Sequence, residues 1–329
     1  MANRADDEAR LVLADALQQA GDPHGELIAV EIAAAREPDS DRRRNYVTRA
    51  HQLRAEHGEQ IAGAITRHAS SHEWSRGFVD TVTMTGQAFV AHGRAMFSSH
   101  PIETLEIAPL TDEAIALVAQ SPALAMVRRI VLRRADRAAI ALRPLGESPH
   151  LDELHELRLH EIFARDWPSA FQSIRAPKLA RLRVSLGDFD LRAISRIVRQ
   201  GGDATLERVV LHAGAFAWSV PHARAAFEAL GSCRKLREFE IEDYGLVDDE
   251  LVRRLVDGPA WSTLESLRIR GGKLGPAWLE VLASRGACAL RTLDVGRVDG
   301  AVSARIDALL RSPAGARLER VIVDGKRYG

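Results

Sequence analysis

From residue 102 onward, apolar side chains recur in the order L-x-x-L-x-L, with other aliphatic residues or Phe admitted. Nine copies start at Ile102, Val127, Leu154, Leu179, Leu206, Leu236, Leu264, Leu290 and Leu318, spaced 25 to 30 residues apart. Val79, Val82 and Met84 form a weaker copy 23 residues ahead of the first. Each hexamer closes in strict alternation; in the third, Leu157 and Leu159 sit among Glu156, Arg158 and His160. A period of two predicts a strand with one buried face. A register kept over nine copies marks a repeat array.

Between the hexamers, the punctuation predicts helices. Asp112-Glu113 precedes AIALVAQ, and Asp166 stands as N-cap before Trp167-Pro168 and SAFQSI. Pro221 opens HARAAFEAL ahead of Gly231, Asp248-Asp249 open ELVRRLV, and Pro276 opens AWLEVLAS ahead of Gly286. Acidic N-caps satisfy free amides at the positive end of the helix dipole, and Gly supplies the left-handed C-terminal turn. A strand and a helix in so short a unit cannot bury an apolar face alone, so the units must stack. Strands pack about 4.8 Å apart and helices about 10 Å apart, so the stack curves with its sheet inside. The expected fold is α/β: a curved parallel sheet with helices on the convex side.

These hexamers resemble the leucine-rich repeat family over residues 79–329, with lengths like its longer, helix-bearing ribonuclease-inhibitor type. That resemblance implies a solenoid of about ten repeats. The family carries Asn or Cys three residues after the last strand leucine. Here the matching places hold Leu110, Ala135, Ile162, Gly187, Gly214, Tyr244, Gly272 and Val298, so the family's buried polar ladder is absent.

No hexamer occurs before Val79. Residues 8–20 predict a helix with Leu11, Leu13, Ala14 and Leu17 as apolar positions, closed by Gly21. Asp22-Pro23 restarts the chain as N-cap and first helical residue, and residues 41–57 and 59–69 predict two further helices. The segment DDEARLVLADALQQAGDPHGELIAVE resembles the bacterial repeat-companion domain through Asp7, Arg10, Leu11, Val12, Ala14, Asp15, Leu17, Gly21, Asp22, Pro23, Gly25 and Glu26. WSRGFVDTV, residues 74–82, resembles that family's junction into the repeats. The resemblance implies a helical module, residues 1–76, capping a repeat domain, residues 77–329, and it brings no catalytic residue. At the far end, the ninth hexamer leaves a strand edge open. Either Gly325–Tyr328 folds over it or a second copy pairs with it edge to edge as a homodimer.

Composition narrows the function classes. The 329 residues hold 45 basic and 45 acidic side chains, so no global field draws the chain to nucleic acid or membrane. Two cysteines, Cys233 and Cys288, make no disulfide framework, and the charged N-terminus is unlike a signal peptide, so a cytoplasmic location is expected. No phosphate-cradling glycine loop, nucleophile elbow or metal-ligand spacing occurs, so neither a cofactor, a metal nor an enzymatic activity is expected. The outward strand positions are more informative. Strands of the second to fifth hexamers present Arg129, Arg133, Arg158, Arg181, Arg183 and Arg208 with His160 and His212, against Glu156 alone. The sixth presents Glu238, Glu240 and Glu242, expected to pair with Arg208, Arg268 and Arg270. Guanidinium groups bind carboxylate or phosphate in bidentate fashion. The expectation is a non-enzymatic protein-interaction scaffold whose basic concave face binds an acidic partner. Two alternatives remain: recognition by the helical module with the solenoid as spacer, or sequence-independent nucleic-acid binding. The concave positions offer no aromatic platform for stacking bases.

Overall fold

A computed structural model describes residues 7–134, 138–187, 189–212, 219–242, 245, 247–272, 274–275, 277–286, 288–296 and 303–328. Ala135, Gly214, Tyr244, Pro276 and Val298 lie outside the described residues.

The chain opens with α1 (Asp7–Gln19), α2 (Pro23–Arg36), α3 (Ser40–Ala62) and α4 (Ala64–His68). Asp22 caps α2, its carboxylate accepting from the His24 amide at 2.9 Å. The break expected near residue 58 falls instead at Gly63, whose φ of +53° ends α3. Gly58 stays helical, its bare Cα facing the Trp74 ring.

A twelve-stranded sheet follows in simple sequence order. Its strands are β1 (Ser71–Ser75), β2 (Phe78–Met84), β3 (Thr104–Ile107), β4 (Arg129–Arg133), β5 (Glu156–Ile162) and β6 (Arg181–Gly187). They continue with β7 (Arg208–His212), β8 (Glu238–Glu242), β9 (Ser266–Arg270), β10 (Thr292–Val295), β11 (Arg320–Val323) and β12 (Lys326–Tyr328). Strands β2 to β11 pair parallel throughout, one per hexamer with the weaker copy included. The hexamer leucines point into one continuous core running from Ile65 and Val79 to Val323. This is a leucine-rich repeat solenoid.

Helices return the chain between strands: α5 (Gly86–Ser99), α6 (Asp112–Gln120), α7 (Arg143–Gly146), α8 (Trp167–Ala170) and α9 (Arg192–Arg199). Then come α10 (Val220–Gly231), α11 (Asp249–Val256), α12 (Ala277–Ala283) and α13 (Ser303–Arg311). Two of them shrink to single turns. The helix expected over Trp167-Pro168-SAFQSI is only α8, and Asp166 does not cap it. Its carboxylate accepts instead from the Leu142 and Arg143 amides at 2.9 and 2.8 Å, capping the neighbouring rung's α7. Asp112 likewise accepts from the Ala141 amide at 2.8 Å. These carboxylates tie rung to rung at the helix side, where the family's Asn or Cys ladder is missing.

One margin of the sheet differs from the sequence reading, and the other takes one of its two alternatives. Residues 71–75, expected within the helical block, form β1, antiparallel to β2. At the other margin β12 folds antiparallel onto β11, so the tail covers the edge of the ninth hexamer strand. Each hairpin turns on two residues with positive φ, Arg76-Gly77 (+53°, +82°) and Asp324-Gly325 (+52°, +73°). That left-handed pair matches the twist of a two-residue hairpin.

The first turn also anchors the helices. Glu31 of α2 is buried; its carboxylate accepts from the Gly77 amide at 2.8 Å and pairs with Arg54 of α3. His24 Nε2 meets the Gly77 carbonyl at 2.8 Å. A Cβ on Gly77 would sit 2.5 Å from the Ile28 Cα, so only glycine lets α2 seat on the hairpin.

Candidate functional site

The helix-free face of the sheet forms a trough of about 610 Å³. Its lining runs from Glu73 on β1 through Arg129, Arg158, His160, Arg183, Ser185 and His212 to Glu242 on β8. Among the described residues, no Phe, Tyr or Trp lines it. Because the side-chain period is two and the strands are in register, outward residues form rows across the sheet. Arg129, Glu156, Arg181, Arg208 and Glu238 are consecutive partners in the first row. Glu106, Val131, Arg158, Arg183, Val210 and Glu240 make the second. Arg133, His160, Ser185, His212 and Glu242 make the third.

The structure therefore places all eight sequence-predicted residues on one face, but it does not leave them equally free. The expectation that Glu156 alone is set against these arginines is overturned at Arg129 and Arg133, which meet Asp80, Glu103 and Glu106, whereas the Arg208–Glu238 pair is one of those expected. Arg129 lies between Asp80, at 3.2 Å, and Glu103. Arg133 meets Glu106 at 3.4 Å, Arg158 meets Glu156 at 2.6 Å, and Arg208 meets Glu238 at 3.1 Å. Six arginines thus face five carboxylates, a formal excess of one positive charge. Asp80 and Glu103 were missed because they precede the outward strand positions. Their signal was available, since the residue before each first-row position is itself a repeat: Asp80, Glu103, Arg128, His155, Ala180, Glu207.

Burial shapes the Arg129 end. Desolvation pushes the Asp80 carboxyl above its ordinary range, with Arg129 opposing and Glu103 adding to the rise. At Arg129, burial works against the charged form, yet Asp80 and Glu103 outweigh it and the pKa is raised. This is a closed ion cluster.

The centre is different. Arg181 and Arg183 are exposed and make no ion pair among the described residues. In the third row, His160 Nδ1 and Ser185 Oγ are hydrogen-bonded at 2.6 Å. His212 Nε2 meets Glu240 Oε1 at 3.2 Å. Of the pairings expected for β8, Glu238–Arg208 and Glu240–Arg268 form, the second at 3.5 Å. Arg270 turns instead to Asp294 at 3.3 Å.

Elsewhere, Cys233 and Cys288 are free and buried, and desolvation pushes the Cys233 thiol up to about 12. Among the described residues, no group of three or more His, Cys, Asp or Glu is placed to hold a metal ion, and no helix is long and apolar enough to cross a membrane.

No family model and no curated protein matches the chain. Among solved structures it is similar to an internalin from Listeria monocytogenes, at 13% identity and a TM-score of 0.36, covering 69% of this chain and 68% of that one.

Proposed function

We propose that the protein is a non-enzymatic interaction scaffold and that an acidic segment of a protein partner lies in the trough over β5 to β7. The single observation carrying this reading is that Arg181 and Arg183 stand exposed without a carboxylate, at the centre of a face whose other arginines are paired. An exposed guanidinium with no internal partner has its fork of donors available to an incoming carboxylate. An open trough also suits an extended segment better than a small substrate that must be closed off from water.

A fluorescein-labelled peptide with two adjacent glutamates among uncharged residues tests this. Its anisotropy is expected to rise with the full-length protein and to fall back as salt increases. The double reversal Arg181→Glu/Arg183→Glu is expected to abolish the rise with an unchanged melting temperature. Undiminished binding by that variant refutes the reading.

A second reading rests on α1, where Val12 and Leu13 are 71% and 42% exposed. An apolar partner held there would make the solenoid a spacer. Val12→Asp/Leu13→Asp would then abolish partner capture while the trough reversal leaves it intact.

A further inference from the structure

The central window holds more donors than a carboxylate can use. Arg158 and Arg183 are register partners, abreast in the second row. In the third row, His160, Ser185 and His212 are consecutive partners. Arg183 and Ser185 are two residues apart on one strand, so their side chains leave the same face about 6.7 Å apart. All five residues line the trough together. The result is a two-dimensional patch: two guanidinium groups along one side, a hydroxyl between two imidazoles along the other. A planar carboxylate is satisfied by one guanidinium fork. A phosphoryl group has three terminal oxygens and carries about −1.5 to −2 at neutral pH. Arg158, Arg181 and Arg183 set against Glu156 leave two positive charges here, which matches that dianion.

We propose that the window between β5 and β7 receives a single phosphorylated side chain of a protein segment lying in the trough; this rests on the acidic-partner reading above. Arg158 and Arg183 grip the phosphoryl oxygens, and the Ser185 hydroxyl, its oxygen accepting from His160 Nδ1–H, donates a further hydrogen bond to them. Glu156, bonded to Arg158 Nε at 2.6 Å, fixes the orientation of that guanidinium.

The window is narrow, and its margins select against a polyanion. Glu106 on β3 closes one side, and Glu240 and Glu242 on β8 close the other. Only about 10 Å separates β5 from β7. A nucleic-acid strand, with a phosphate every ~3.4 Å of a duplex axis, would press its neighbouring charges onto those carboxylates. One phosphorylated residue in an otherwise weakly charged segment meets no such repulsion.

The test uses the full-length protein and three degenerate peptide libraries with identical flanks and a central phosphothreonine, glutamate or threonine, read by anisotropy. The phosphothreonine library is expected to bind at least about ten-fold more tightly than the glutamate library. Arg183→Gln and Ser185→Ala are expected to cut that preference to two-fold or less, and Arg183→Lys to restore part of it, since lysine keeps the charge and loses the fork. Equal binding of the phosphothreonine and glutamate libraries, lost in Arg183→Gln, overturns the phosphoryl site and leaves the acidic-partner reading standing. Binding of none of the three overturns both. Two competitors complete the test. Inorganic phosphate that displaces the phosphothreonine library at the library's own concentration assigns the window to the free ion and overturns the peptide claim. A single-stranded oligonucleotide that binds more tightly than the library, through Arg183, overturns it in favour of nucleic acid.

Discussion

Strands β4 and β6 present the same residue at the same place. Arg129 and Arg181 occupy the first row, each the register partner of Glu156 between them. Yet Arg129 is locked between Asp80 and Glu103, with 26% of its side chain exposed, while Arg181 is exposed and unpaired. The difference comes from the residue just ahead of the first-row position on the two preceding rungs. Around Arg129 those rungs supply carboxylates at Asp80 and Glu103; around Arg181 they supply Arg128 and His155. An arginine on the trough is therefore structural or available according to what the two preceding rungs place just ahead of the first row.

The largest effect should come from breaking the closed cluster. Arg129→Gln leaves Asp80 half-buried without its cation, and unfolding in urea should show a loss of about 2 kcal/mol at neutral pH, below the range for a fully buried pair because the site is partly wet. The pH dependence has a defined sign. Burial already raises the Asp80 carboxyl, and without Arg129 it rises further. A carboxyl whose folded pKa exceeds its unfolded value stabilises the fold in its protonated form and loses that stabilisation as pH rises. The penalty of Arg129→Gln should accordingly shrink between pH 7 and pH 5; a penalty that grows on acidification contradicts this account.

Next, the comparison can be inverted by giving β6 what β4 has. His155→Glu places a carboxylate on the preceding rung, where Glu103 stands relative to Arg129, and affinity for the glutamate peptide should drop about ten-fold, roughly 1.4 kcal/mol. Unchanged affinity would mean that the preceding position does not govern availability. Arg133→Gln breaks an exposed pair with Glu106 and should cost about 0–1 kcal/mol in the same urea experiment. The smallest effect belongs to Arg183→Gln, whose melting curve should differ from wild type by less than about 0.5 kcal/mol, since the side chain is exposed and partnerless.

The repeating apolar positions made the sheet legible because a strict period of two leaves no freedom over which face is buried. Every hexamer became a strand, and the residues expected to face outward did so in aligned rows. Short elements were harder to read. The α8 turn follows a proline-bearing stretch whose Asp166 serves the neighbouring rung, a contact that helix-cap rules along the chain do not see. Strand β1 was hidden because Ser71–Ser75 gains its pairing only from the hairpin partner β2. The boundary suggested by the resemblance, after residue 76, falls within the turn that seats α2, since Arg76-Gly77 joins β1 to β2. At the site, residue types were legible and pairings were not. Asp80 and Glu103 reach Arg129 from different rungs, and only packing brings three such side chains within reach.

The two-residue turns at either margin have a consequence for how such an array can vary. Each hem is sewn locally, Arg76-Gly77 on one side and Asp324-Gly325 on the other, without reference to how many rungs lie between. Duplicating or deleting an interior rung would change the gutter's width by one strand spacing, about 4.8 Å, and leave both selvedges intact. The outermost ribbon, Lys326–Tyr328, is short and carries two cations, a poor template for a stranger's strand.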